Sequence, residues 1–418
     1  MTAKFYQTKR SELSKVLVNN SIAIIHSNYQ TFKSADSLHE FKVNNNFYYL
    51  TGLKEDNIIL VLANINNEYK EYLFIEKNDP VLVKWVGAKY EKEEATKISG
   101  IKNVLYMEQF KGFVEGIVQP SRHSTDLIDT IYLDLEKRDL PLYNTFALDY
   151  AKYLQSEFPY VVIKNIYPDI IRLRMIKDQE EIDEIKKSIE STKNAIYNVY
   201  KHHNELKNEA HAVAFHDFSL NYENKRTSFG TIMASGKNAC ILHYEDNNQD
   251  IEKDVLMLMD LGSSTSGYAS DISRTFPVSG RFTTRQKDVY QTVLDCNKAC
   301  IDYAKAGMSW KELNDYARNF LAEGLIKLGV ITNKEDVVKY YYHSIGHSLG
   351  LDVHDPNIAG LGLLEGMVIT IEPGLYIEEE GIGIRIEDNI VITKDKAINL
   401  SEGIIKEIAD IESFMKGD

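Results

Sequence analysis

Four carboxylates in the C-terminal half of the chain fall into two mirror-related pairs, Asp260 with Asp271 and Glu372 with Glu387. Residues 255–276 read as a strand, a Ser263-Ser264-Thr265-Ser266-Gly267 turn cluster and a returning strand. Folding that run about a two-residue loop at Thr265-Ser266 sets Asp260 directly opposite Asp271. Residues 367–392 alternate apolar positions on either side of Glu378-Glu379-Glu380-Gly381, and folding them about Glu379-Glu380 opposes Glu372 and Glu387. Opposed residues of an antiparallel pair have Cβ atoms about 4.5–5.5 Å apart, where like charges are destabilising. Met257, Met259, Ile369, Ile371, Ile384 and Ile386 imply buried strands, so the anions would also lack water to screen them. Two such conflicts call for cations. Four carboxylates match two divalent ions, which can in turn ionise a bound water.

Histidines extend this constellation. Three of the eleven in the chain, His343, His347 and His354, lie within residues 342–355, and His243 lies upstream in Leu242-His243-Tyr244. His343 and His347 have the spacing of a zinc-protease helix, yet no Glu follows the first His, and Gly346 and Gly350 break helical continuity. A site of four carboxylates and one imidazole is rich in hard oxygen donors, which favours Mn²⁺ or a similar ion over a thiolate-type zinc site.

The stretches Leu242-His243-Tyr244, Met259-Asp260-Leu261-Gly262, Ser270-Asp271-Ile272-Ser273-Arg274-Thr275, Gly346-His347-Ser348-Leu349-Gly350, Ile371-Glu372-Pro373-Gly374 and Arg385-Ile386-Glu387-Asp388 resemble the pita-bread dinuclear metallopeptidases. Within them the likeness is to the aminopeptidase P family, over about residues 173–400, with a weaker match upstream to that family's N-terminal domain. The resemblance implies that Asp260 is a bidentate ligand to one ion, that Asp271 and Glu387 bridge both, and that His347 and Glu372 complete the coordination. It further implies that Glu372 handles protons for a bridging hydroxide. His243, His343 and His354 would line the site as imidazoles that contact substrate or oxyanion, Arg385 would support the site or contact product, and Tyr376 would be a supporting tyrosine. The implied activity is removal of the N-terminal residue from peptides with proline in second position, with two divalent ions as cofactors, Mn²⁺ being the ion that the donor set favours. Such chemistry is coherent: two ions about 3.5–4 Å apart can share a hydroxide at neutral pH and hold the tetrahedral oxyanion. A glutamate beside them can carry the proton to the departing proline nitrogen. A prolidase restricted to Xaa-Pro dipeptides shares the ligands and is the nearest alternative. A non-catalytic pita-bread module that binds protein partners is a more distant one, since such modules generally lose ligands and all five are retained here.

The elements that must hold these residues are legible in outline. Ile182, Ile185, Ile189, Ile196 and Val199 mark one face of a long helix over residues 178–203, which opens a catalytic domain of residues 173–418. That domain reads as α+β with two similar halves: helix pairs over about 178–222 and 284–329 are each followed by one acidic hairpin. Residues 1–172 alternate strand-like runs, at 21–26, 47–51, 58–63, 71–75 and 130–135, with helical or polar stretches, which suggests an α/β domain. Within it Trp85 resembles a tryptophan that reaches a neighbouring subunit's active site in bacterial members of the family; this implies a homodimer or homotetramer, against the plainer reading of a packed core residue.

At 418 residues and 44% hydrophobic content the chain can bury two cores. Its net charge of −14 argues against nucleic acid and against anionic membranes as partners. Residues 1–13 carry no apolar signal core, so the cytoplasm is the expected compartment. Of the three cysteines, Cys296 and Cys300 lie one turn apart on a predicted helix, as buried thiols would.

Overall fold

In the computed structural model, which describes residues 1–119, 128–137 and 145–417, the chain forms two units, Met1–Arg174 and Met175–Asp418. A six-stranded mixed sheet organises the first, in the order Asn103–Tyr106, Glu68–Ile75, Ile59–Ile65, Ser21–His26, Thr130–Leu133, Val162–Asn165. The Ser21–His26 strand is buried at every position, pairing antiparallel with Ile59–Ile65 and parallel with Thr130–Leu133. Such continuous apolar runs, covered on both faces, are what central strands of an α/β sheet require. Residues 47–51, expected as a strand, belong instead to the helix Asn45–Thr51. The Asn44 side chain accepts from the backbone N–H of Asn46 and Phe47, and Gly52 closes the other end at φ 74°. These two caps override the strand preference of the Phe47-Tyr48-Tyr49 run.

Two helix pairs frame the second unit, Gln179–Lys201 with Glu209–Tyr222 and Thr284–Tyr303 with Trp310–Lys327. Capping boxes start three of the four, from Asp178 with Glu181, Thr283 with Gln286, and Ser309 with Glu312. Ile185, Ile189, Ile196 and Val199 are fully or nearly fully buried along the long helix, each contributing about 1.5–3 kcal/mol of apolar burial. Cys296 and Cys300 are buried thiols on Thr284–Tyr303, their sulfurs 3.9 Å apart. Among the described residues no helix is long and apolar enough to cross a membrane.

Each helix pair grips one acidic hairpin through small polar side chains. Ser188 donates to the Tyr268 carbonyl at 2.8 Å and accepts from the Thr265 N–H at 2.8 Å, and Thr192 meets Ser270 at 2.8 Å. From the second pair, the Asn297 side-chain amide donates to the carbonyls of Ile371 (3.1 Å) and Ile386 (3.2 Å), the residues just before Glu372 and Glu387.

Candidate metal centre

In the second hairpin Val368–Ile371 pairs with Asp388–Ile392, and Gly374–Ile377 with Ile382–Arg385. The register runs Ile371↔Asp388 and Gly374↔Arg385, which leaves Glu372 and Glu387 facing each other as expected. The first hairpin differs. Leu256–Leu261 pairs with Ile272–Pro277 so that Asp260 faces Ser273, and Asp271 lies two residues along on the same face. The loop is Ser266-Gly267, not Thr265-Ser266, because both loop residues take positive φ (52° and 88°), the requirement of a tight hairpin turn. The two aspartates are therefore diagonal neighbours, with a hydroxyl where direct opposition had been expected.

The hairpins are tied to each other. Glu387 N–H donates to the Ser273 carbonyl at 3.0 Å, and the Asn389 side chain donates to the Asp271 carbonyl (2.6 Å) while accepting from its N–H (3.2 Å). His343 and His347 do not lie on a helix. Instead residues 345–349 run beside Val368–Ile371, with Thr370 N–H on the His347 carbonyl (2.9 Å) and Glu372 N–H on the Ile345 carbonyl (2.8 Å). Gly346 permits that approach, since a Cβ there would lie 2.1 Å from the Thr370 carbonyl oxygen. His347 Nδ1 meets the Ser348 carbonyl at 3.1 Å, which assigns its proton there and leaves the Nε2 lone pair facing Asp271 (3.3 Å) and Glu372 (3.7 Å).

All five expected ligands converge. Donor atoms of Asp260, Asp271 and Glu387 lie within 4.8 Å of one another, as do those of His347, Glu372 and Glu387, and those of Asp271, His347 and His354. His354 thus stands closer to the donor set than a purely substrate-contacting role required, its ring centroid 4.1 Å from that of His347. Asp271 is 5% and Glu387 1% exposed. Burial, and then the neighbouring carboxylates, hold both well above the usual carboxylate range, and burial also raises Glu372, against His347 and Arg385. A buried carboxylate cluster of this size, faced by an imidazole lone pair and countered by one guanidinium, fits hard divalent cations.

That guanidinium is Arg385, which donates to Asp260 Oδ2 (2.7 Å), Ser273 Oγ (2.8 Å) and the Tyr376 hydroxyl (3.0 Å). The Tyr376 hydroxyl donates a hydrogen bond to His343 Nε2 (2.8 Å), and the Nδ1–H of that ring is directed at the Ser344 carbonyl (2.8 Å). Burial, then Arg385, lowers His343 to about 4, so it stays neutral. His243 and His354 are exposed, and His243 lies near enough to depress the charged forms of both His343 and His354.

Sequence reasoning missed Ser273, whose hydroxyl also meets Asp260 Oδ1 (3.0 Å) and Glu387 Oε2 (2.8 Å). With one proton it serves one carboxylate at a time. It also missed Asn389. The available signal was period two, since these residues follow Asp271 and Glu387 by two positions and share their strand faces.

The family model of metallopeptidase family M24 matches residues 183–394, and that of the aminopeptidase P N-terminal domain matches residues 6–125. The chain is similar to the Xaa-Pro aminopeptidase of Haemophilus influenzae, at 30% identity over 98% of this chain and 96% of that one. Among solved structures it is similar to a Bacillus anthracis protein assigned as an aminopeptidase P, with a TM-score of 0.95, 45% identity, and 100% and 99% of the two chains covered. Aminopeptidase P from Escherichia coli with the inhibitor Pro-Leu gives a TM-score of 0.90 at 28% identity, over 100% of this chain and 99% of that one.

Proposed function

This chain belongs to metallopeptidase family M24 and carries an aminopeptidase P N-terminal domain, and we infer that it is a metal-dependent Xaa-Pro aminopeptidase that releases the residue ahead of proline from peptide N-termini. The observation that carries this reading is the convergence of Asp260, Asp271, His347, Glu372 and Glu387 from two hairpins and the 345–349 segment. These five residues would hold two divalent cations, and the oxygen-rich donor set favours Mn²⁺. When bound, such ions supply Lewis-acid polarisation of the scissile carbonyl and ionise water at neutral pH.

The side chains divide the remaining work. Glu372 takes the proton of the attacking water and delivers it to the departing proline nitrogen, which cannot leave as an anion. His243 and His354, at the exposed side of the site, donate to the developing oxyanion. Arg385 fixes Asp260 on one side and, through Tyr376, the His343 imidazole on the other. The Xaa-Pro bond has no amide N–H, so the proline ring is recognised by shape.

Residues 1–172 and 173–418 are taken as the two domains, close to the two units of the fold. A homodimer or homotetramer is supported by Trp85, which is 82% exposed on the short helix Val83–Val86 and is not packed in a core. The free thiols Cys240, Cys296 and Cys300 support a reducing compartment, the cytoplasm.

Hydrolysis of a Xaa-Pro-Yaa tripeptide and a Xaa-Pro dipeptide, each with and without added Mn²⁺, tests the reading. Metal-dependent cleavage of the tripeptide is expected. Cleavage confined to the dipeptide would make the enzyme a prolidase, and cleavage of neither would leave a binding module.

A further inference from the structure

His243 is carried on a stretch without helix or strand, between the short helical turn Gly236–Cys240 and residue 250. An exposed imidazole on irregular chain needs something to fix it, and a single carboxylate is placed to do so. Glu209, the first residue of the helix Glu209–Tyr222, is fully buried. Its Oε1 accepts from Ser235 N (2.8 Å), Ser235 Oγ (2.7 Å) and Asn238 Nδ2 (3.0 Å). Its Oε2 accepts from the Tyr244 hydroxyl (2.7 Å) and Gln249 N (3.0 Å). The donors come from the entry of the loop, from the residue beside His243, and from the exit, and together they fill the carboxylate's acceptor sites. Burial pushes the Glu209 carboxyl up, but the bonds from Asn238, Ser235 and Tyr244 outweigh it and hold the group below the usual carboxylate range. Tyr244 also packs in a small core with Ile232, Ala234, Ala239, Leu258 and Tyr376, so the loop is anchored both by that ring and by the anion.

We propose that Glu209 is a positioning residue for the reaction: its buried carboxylate staples residues 235–249 so that the His243 imidazole is presented to the substrate. The inference rests on the reading of His243 as a substrate-contacting group. Glu209→Gln keeps the volume but replaces one acceptor oxygen with an NH₂, so whichever way the amide turns at least two donors lose their partner.

The test is a double-mutant cycle of Glu209→Gln and His243→Ala on the metal-loaded enzyme with a Xaa-Pro-Yaa tripeptide. It is read alongside bound-metal content and hydrogen exchange of the 235–249 amides. The proposal expects Glu209→Gln alone to lower kcat/KM by about 10–100-fold, as displacement of a catalytic group does, and to add less than about twofold in the His243→Ala background. Metal content should match wild type, and faster exchange should be confined to residues 235–249. Tyr244→Phe, which removes one donor and keeps the ring, should give a smaller loss with the same non-additivity, and it carries the test if Glu209→Gln does not fold. Losses that multiply, a fall in metal content, or wild-type kinetics in Glu209→Gln would each overturn the inference. Full activity in His243→Ala would remove its premise, and that outcome is distinguishable because it appears in the single variant.

Discussion

Replacing Glu387 with Gln keeps the side chain's shape and removes one charge from the buried cluster. Glu387 lies within 4.8 Å of both Asp260 and Asp271, and each ionised pair at that distance costs about 3.5 kcal/mol at an effective dielectric of about 20. Two such pairs vanish in the variant. Part of the gain is offset, because Arg385 loses an attraction and because the metal-free wild type already relieves repulsion by keeping protons on Asp271 and Glu387. A net stabilisation of about 2–4 kcal/mol is therefore expected for the metal-free variant over metal-free wild type. Calorimetric unfolding after chelation should show it as a rise of roughly 4–16 °C in Tm for the catalytic unit. Adding Mn²⁺ should reverse the order: at about a thousandfold above Kd wild type gains about 4 kcal/mol, while the variant, short of a ligand, gains little. Equal unfolding temperatures for the two stripped proteins, or equal stabilisation of both by metal, would refute the argument that like charge in this cluster is held for cations.

Other perturbations read other parts of the account. His354→Ala should lower turnover by about 10²–10³ while keeping both ions if the imidazole serves the oxyanion; loss of bound metal, measured by elemental analysis, would make it a ligand beside Asp271 and His347. Asn297→Leu should destabilise the protein by about 2–4 kcal/mol in urea, because it takes the side-chain donor from the carbonyls of Ile371 and Ile386 and leaves the Lys406 ammonium with Asp388 alone, and should weaken metal binding with it. In the N-terminal unit, burial holds His26 down at about 4 against an ordinary 6.5. The unfolded chain therefore takes up a proton that the folded one resists, so stability is full above pH 6.5 and falls by about 3 kcal/mol as the pH drops toward 4. His26→Asn, which can still accept from the Asn28 N–H, should flatten that acid limb of the unfolding profile; an unchanged limb would place its origin elsewhere.

The site was legible wherever charge and period spoke together. Opposed glutamates on an apolar hairpin gave the register of residues 367–392 correctly, because the polar run Glu378-Glu379-Glu380-Gly381 marks where the chain turns between two fully buried arms. The first hairpin was misplaced because its position is set by backbone conformation at Ser266 and Gly267, not by its carboxylates. The helix at residues 45–51 was hidden for a similar reason, since Asn44 and Gly52 act on the backbone while the aromatic residues between them suggest a strand. Asn297 and Glu209 were invisible as site residues, and Ser273 and Asn389 were marked only by their two-residue spacing from Asp271 and Glu387. Each is an ordinary polar residue whose partners stand apart in sequence and meet it only after the sheets have formed.

The most direct test of the central claim is a metal titration of the stripped protein, with free N-terminal residue released from a Xaa-Pro-Yaa tripeptide measured against ions bound per chain. The account predicts no release without metal and a rise that saturates at two divalent ions. Undiminished release by the stripped protein, or none with two ions bound, would contradict it.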